Sequence, residues 1–202
     1  MTDDEIGKYG LYLPGEEKFG AISSSFYGVA RAVPTLRRFY YFVERTVLSQ
    51  NFENVLDIGS GPGITLVKIA KQHQGKFLGI DPSSHMVKIA NRRAARSGVA
   101  DRVRFVVGSS RHIPGDEKFD LIYTSLSFHH WKDREQSVLP ILKRLKPSGS
   151  FMIFEVTDDG SFNRRFVKNH LMNREDFISL GKTIGRNPEF LEEAGFICCI
   201  FS

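Results

Sequence analysis

The 202-residue sequence predicts an α/β fold: a doubly wound, mostly parallel sheet with helices on both faces. Three observations carry that expectation. From Asn54 onward, short apolar runs alternate with segments of helical apolar spacing, the pattern of right-handed βαβ units. The run Val55-Leu56-Asp57-Ile58 leads straight into alternating glycines, Gly59, Gly61 and Gly63, and a helical period starts at Ile64. A second apolar run, Lys76–Ile80, ends on a carboxylate, Asp81, about twenty residues past the glycine turn.

The elements follow in order. Residues up to about Ala21 are glycine-rich and lack a period. Ser23-Ser24-Ser25 is placed to cap a helix over Phe26–Ala32. Pro34 opens another, with Leu36, Phe39, Tyr40, Val43, Val47 and Leu48 on one side. Residues 1–50 read as a helical N-terminal cap on a cofactor-binding core of residues 51–202, all one domain. Asn54–Ile58 is the first strand, and the next helix runs to about His73 with Pro62 in its first turn. Lys76–Ile80 is the second strand. A helix from Ser83 to about Ser97 turns Met86, Val87, Ile89, Ala90 and Ala94 inward and ends at Gly98. Val103–Val107 and Phe119–Thr124 are the third and fourth strands. Lys132–Lys146 is a helix halted by Pro147-Ser148-Gly149, and Ser150–Glu155 is the fifth strand. Pro188–Ala194 reads as a last helix before an apolar run, Gly195–Phe201.

Composition is that of an ordinary globular chain, with no run long and apolar enough to cross a bilayer. The start, Met1-Thr2-Asp3-Asp4-Glu5, is acidic and lacks an apolar signal core, which points to a cytoplasmic protein. Two adjacent cysteines, Cys198 and Cys199, make neither a disulfide framework nor a metal site and read as apolar strand residues. The formal charge of +5 suits an anionic partner such as RNA. Yet Lys88, Arg92, Arg93 and Arg96, and likewise Lys143, Arg144 and Lys146, fall at helical positions and read as solvated faces. No basic, aromatic-rich stripe of the kind that stacks bases is evident.

A strand, a glycine turn and a helix start form a cradle for a nucleotide cofactor. Glycines let the backbone approach a ligand, and the helix start offers N–H groups to an anion. Dinucleotide turns space their glycines G-x-G-x-x-G, which disfavours a nicotinamide oxidoreductase here. Asp81 suits a ribose diol, since Ser83 is available to cap the following helix.

The pattern Asp57-x-Gly59-x-Gly61-x-Gly63 resembles the first motif of the class I S-adenosylmethionine-dependent methyltransferases, whose fold is Rossmann-like. Phe119-Asp120-Leu121-Ile122 resembles the family's fourth-strand motif. Phe128-His129-His130-Trp131 with Asp133 resembles the loop that follows it in the small-molecule branch. Leu142–Gly149 is similar to the segment before the fifth strand. The combination is most similar to the branch that includes quinone-biosynthesis methyltransferases. The resemblance implies S-adenosyl-L-methionine as cofactor, surrounded by Asp57, Gly59, Ser60, Gly61, Gly63, Asp81, Pro82, Met86, Gly108, Ser109, Ser110 and Ser125. It implies in-line methyl transfer to a small-molecule acceptor beneath the N-terminal cap, with Tyr9, Tyr12, Phe19, Tyr27 and Tyr40 as candidate pocket aromatics. Alternatives are an RNA or protein methyltransferase and a non-catalytic cofactor-binding regulator.

Two departures stand out. Where the family commonly has Gly-Asp to take the adenine amino group, this chain has Gly108-Ser109-Ser110. Adenine recognition then leans on a serine hydroxyl, on backbone N–H groups near Ser110, and on walls from Pro82, Met86 and Ile113. The family also usually ends in a seventh, antiparallel strand. Here the sheet lacks that strand, or the sequence is truncated, or one strand lies elsewhere. The Asn/Asp-Pro-Pro-aromatic motif of base-amine methyltransferases is absent at Ser125-Leu126-Ser127-Phe128, which favours a small molecule over nucleic acid. His129 and His130 are the candidate bases, needed only if the acceptor is protonated.

Overall fold

The computed structural model describes residues 34–157 and 171–202. Seven strands form one sheet: β1 (Asn54–Ile58), β2 (Lys76–Asp81), β3 (Val103–Val107), β4 (Phe119–Ser125), β5 (Leu145–Val156), β6 (Glu189–Glu193) and β7 (Phe196–Phe201). Their order is β3-β2-β1-β4-β5-β7-β6. Pairing is parallel from β3 through β5, and β7 runs antiparallel to both of its neighbours, β5 and β6.

The strands are apolar on both faces because both faces are covered. Val55, Phe77, Leu121, Tyr123, Met152, Phe154 and Cys198 point to one side, under α1 (Pro34–Leu48), α2 (Ile64–Gln72) and α3 (Ser84–Arg96). Leu56, Leu78, Ile122, Ile153, Ile197 and Cys199 point to the other, under α4 (Arg134–Leu142) and α5 (Arg174–Ile184). The adjacent cysteines therefore belong to different cores, both buried and unbridged. Among the described residues no helix is long and apolar enough to cross a membrane.

The C-terminal expectation needs correcting. The sheet does not lack an antiparallel strand. Glu189–Glu193 is strand β6 rather than a helix, and Phe196–Phe201 is the antiparallel β7 inserted between β5 and β6. A two-residue turn joins them, with Ala194 (φ 47°) and Gly195 (φ 81°) both left-handed, as the tight hairpin turn that matches strand twist requires. The apolar β7 is paired on both edges, and the acidic β6 takes the exposed edge, where charge discourages pairing with another chain. Glu193 is bonded by Arg45 of α1 and Glu192 by Arg174 of α5, one from each side of the sheet.

Two smaller differences concern β5 and α1. The strand β5 starts at Leu145, before Pro147, and a register shift opposite Phe119–Leu121 absorbs the extra residues. The helix α1 lies on the sheet. Phe39 stacks edge-on against Phe196 and Phe42 against Phe154, at centroid separations of 5.4 and 5.8 Å. The predicted helix Phe26–Ala32 and the aromatics Tyr9, Tyr12, Phe19 and Tyr27 lie outside the described residues.

Candidate active site

Strand order reverses between β1 and β4, so a crevice opens beyond their carboxyl ends. The glycine turn lies on its floor. Gly59, Gly61 and Gly63 have φ of 74°, 51° and 70°, a run of left-handed residues that side chains resist. Gly63 also has no room for a Cβ, which would fall 2.5 Å from the Phe105 ring. It is Gly63, not Pro62, that stands at the helix start, so Pro62 is not the first-turn residue. Instead the Pro62 carbonyl accepts from Arg93 of α3, a residue the sequence placed on a solvated face.

The turn's own N–H groups are already used. Gly59 and Ser60 donate to the Ile80 carbonyl at 2.9 and 3.0 Å, and Gly63 donates to Ser60 at 3.0 Å. Gly61 donates to Asp81 Oδ2 at 2.8 Å, while Asp81 Oδ1 accepts from Ser83 N–H at 2.9 Å. These N–H groups are thus not open to an anion, and Asp81 is not unengaged. Its carboxylate ties the turn to the start of α3, with lone pairs remaining on both oxygens. Ser83 caps α3 as expected, accepting from Met86 N–H.

Asp57, at the end of β1, is buried. Its Oδ2 accepts from the Tyr123 hydroxyl of β4 at 3.0 Å, and its Oδ1 has no partner among the described residues. Burial pushes its carboxyl up to about 7, against the Tyr123 bond and with help from the Asp81 charge. Burial likewise pushes Asp81 up to about 6, against the Ser83 and Gly61 N–H bonds. The same surroundings raise the Tyr123 phenol well above its usual range, burial first and then Asp57. The Ser60 hydroxyl is a second buried group without a partner among the described residues.

The rest of the predicted set lines the same end of the sheet. Pro82 follows Asp81, and Met86 is buried in the first turn of α3. Gly108 N–H donates to the Asp81 carbonyl at 3.2 Å. Ser109 and Ser110 are buried, but the Ser109 hydroxyl accepts from Arg111 N–H at 3.3 Å inside its own turn. Ser125 ends β4. Leu126 follows with a left-handed φ of 49°, a strained conformation for leucine of the kind that collects at functional sites. A Cβ on Gly59 would meet Ser127 Oγ at 2.5 Å, so the β4 loop stands directly against the glycine turn. His129 and His130 pack ring on ring at 3.9 Å. His129 Nδ1 lies 2.7 Å from Oε2 of Glu155, at the end of β5.

Sequence reading missed Tyr123, Arg93 and Glu155. Glu155 alone left a signal, a carboxylate closing the apolar run Phe151–Phe154.

Residues 55–149 match the methyltransferase-domain family. The chain is 32% identical over 145 residues to norajmaline N-methyltransferase of Rauvolfia serpentina, covering 71% of this chain and 48% of that protein. It is 32% identical over 107 residues to demethylmenaquinone methyltransferase of Lactiplantibacillus plantarum, covering 52% and 45%. The chain thus spans about half the length of these relatives. Among solved structures, a protein from Methanococcus maripaludis assigned to the S-adenosyl-L-methionine-dependent methyltransferases superposes with a TM-score of 0.78. It is 21% identical, with 95% of this chain and 96% of that one covered. A methyltransferase from Geobacter sulfurreducens in complex with S-adenosyl-L-homocysteine gives 0.60, at 23% identity and 77% and 65% coverage. Residues 55–149 thus match the methyltransferase-domain family, and the seven-stranded sheet that contains them has the fold of these solved methyltransferases.

Proposed function

We propose that the protein transfers a methyl group from S-adenosyl-L-methionine to a small-molecule acceptor. One observation carries this reading: two carboxylates, Asp57 and Asp81, flank a glycine turn whose N–H groups are already bonded within the protein. A pyrophosphate would meet two negative charges there and find few donors. A sulfonium cation with its amino group and ribose finds acceptors. Asp57 Oδ1 and Ser60 Oγ, without partners among the described residues, fit such a ligand, because buried polar atoms rarely go unsatisfied.

In this reading Asp81 accepts from the ribose hydroxyls through its remaining lone pairs, and Asp57 faces the cationic end. Pro82, Met86 and Ile113 flank the adenine, with Gly108, Ser109 and Ser110 at its polar edge, and Ser125 lies toward the methyl. The bound cofactor supplies a methyl group on a good leaving group, so the chain's task is alignment and exclusion of water. The names of the curated relatives support a small-molecule acceptor. Buried, unbridged Cys198 and Cys199 are compatible with work in the reducing cytoplasm.

The test is to incubate the protein with methyl-labelled S-adenosyl-L-methionine and fractionated cell extract. Label should enter low-mass products. Label confined to RNA or protein would overturn the acceptor class, and no label transfer to any fraction would overturn methyl transfer.

A further inference from the structure

The same crevice holds a buried polar pair that cofactor binding leaves unexplained. Glu155 is fully buried where β5 ends, and the His129 side chain is 7% exposed. The carboxylate grips His129 at two points. Oε2 lies 2.7 Å from the ring Nδ1, and Oε1 accepts from the His129 backbone N–H at 3.1 Å. A buried carboxylate is costly unless paired, and its cost rises sharply if the partner is removed. The pair is also joined to the glycine turn through its own segment. Two residues before His129, Ser127 abuts Gly59 of the glycine turn, and Leu126 N–H is bonded to the Phe154 carbonyl at 3.0 Å. The segment 126–129 therefore bridges the cofactor turn and the end of β5.

We propose that His129 is the general base of the reaction, held in position by Glu155, and that the acceptor bears an acidic hydroxyl, a phenol or an enol. The inference rests on the methyl-transfer reading above and deepens it. An Nδ1–H donated to Glu155 leaves Nε2 as the basic nitrogen, and the carboxylate stabilises the imidazolium that forms. Among the described residues, His130 against the ring, Arg134 bonded to the His129 carbonyl at 3.2 Å, and Glu155 are charged or titratable groups facing it.

The acceptor O–H bond breaks and its proton goes to His129 Nε2. The electron pair left on the acceptor forms the new bond to the methyl carbon, from oxygen or, in an enolate, from the conjugated carbon. The methyl–sulfur bond breaks with its pair on sulfur, giving neutral S-adenosyl-L-homocysteine. His129 then returns its proton to water. A neutral amine attacks through its own lone pair and needs no base in that step. A phenol or enol hydroxyl, unlike an amine, must lose its proton to become a strong nucleophile and so gains most from a positioned base.

The variants His129→Asn and Glu155→Gln test this, because asparagine keeps a donor toward Glu155 while removing Nε2. Nitrogen-15 NMR of the full chain without cofactor should show neutral His129 as the Nδ1–H tautomer, with that preference lost in Glu155→Gln. Against a panel of phenols, with tertiary amines as the control panel, the wild type should methylate phenols. His129→Asn should lower kcat about 100-fold or more with KM little changed. Glu155→Gln should move the pH-rate midpoint, and Glu155→Asp should restore it in part. Calorimetry with S-adenosyl-L-homocysteine should give the same affinity for His129→Asn as for wild type. Unchanged kcat in His129→Asn, turnover of amines alone, or an Nε2–H tautomer would overturn the proposal. No wild-type binding of S-adenosyl-L-homocysteine would instead defeat the underlying reading, and calorimetry detects that without any acceptor.

Discussion

The Asp57 carboxyl is held inside the protein with one oxygen on Tyr123 and the other without a partner among the described residues, and burial pushes it up to about 7. Its folded value lies above the ordinary 3.8, as does that of Asp81, at about 6. Between pH 4 and 7 the folded chain therefore binds more protons than the unfolded one. These two groups make stability fall as pH rises through that window, and the whole cost is present above it. In Asp57→Asn the amide oxygen still accepts from Tyr123 and no charge is buried. The variant should be more stable than wild type at pH 8, by a few kcal/mol at about 1.4 kcal/mol per pKa unit, and should show little difference near pH 4. Urea midpoints at the two pH values measure it. Binding of the cofactor runs the other way. Affinity for cationic S-adenosyl-L-methionine should rise from pH 5.5 to 8 as both carboxyls ionise, and more steeply than affinity for the neutral product S-adenosyl-L-homocysteine. A flat profile in titrations across that range would contradict the placement of Asp57 and Asp81 at the ligand. Asp81→Asn should weaken binding by about 1.5–3 kcal/mol, the range for bonds to a charged group. It should also break one of the two N–H bonds, from Gly61 or from Ser83, because an amide offers a single acceptor oxygen.

Among the elements, the glycine turn and the terminal hairpin make the sharpest demands. Gly63→Ala would drive a Cβ into Phe105 in a left-handed conformation. It should cost about 1–3 kcal/mol from overpacking and added backbone strain, read from a denaturant midpoint. At Ala194 the reverse holds. The residue carries a left-handed φ without being glycine, so Ala194→Gly should stabilise the chain by about 1 kcal/mol. A destabilised Ala194→Gly would contradict the hairpin. The strands β1 to β4 and the glycine turn were legible because continuous apolar runs and alternating glycines are local signals. The hairpin was not. Glu189, Leu191, Glu192, Glu193 and Ala194 are good helix formers, and local propensity favoured a helix. The sheet prevailed because the apolar β7 needs a partner on its outer edge. The contacts that shape the site were illegible for a related reason. Tyr123 meets Asp57 across 66 residues and His129 meets Glu155 across 26, and no periodicity encodes such pairs.

For the molecule as a whole, the sheet order fixes where chemistry can happen. Reversal between β1 and β4 brings the glycine turn, Asp81 and the 126–131 segment to one crevice, although they arise from separate stretches of sequence. The surface charge adds little to this. At the β6 edge, the positive Arg45 and Arg174 are spent on its glutamates rather than gathered into a patch, so the formal +5 does not by itself indicate a nucleic-acid face. What discriminates a sulfonium cofactor from a dinucleotide is the pair of carboxylates around donors that are already bonded. Isothermal calorimetry of the full chain against S-adenosyl-L-homocysteine, S-adenosyl-L-methionine and NAD, repeated with Asp81→Asn, tests that directly. Expected are single-site binding of both sulfur ligands, about 10- to 150-fold weaker in the variant, and no heat with NAD. Clear binding of NAD, or no binding of either sulfur ligand by wild type, would contradict it.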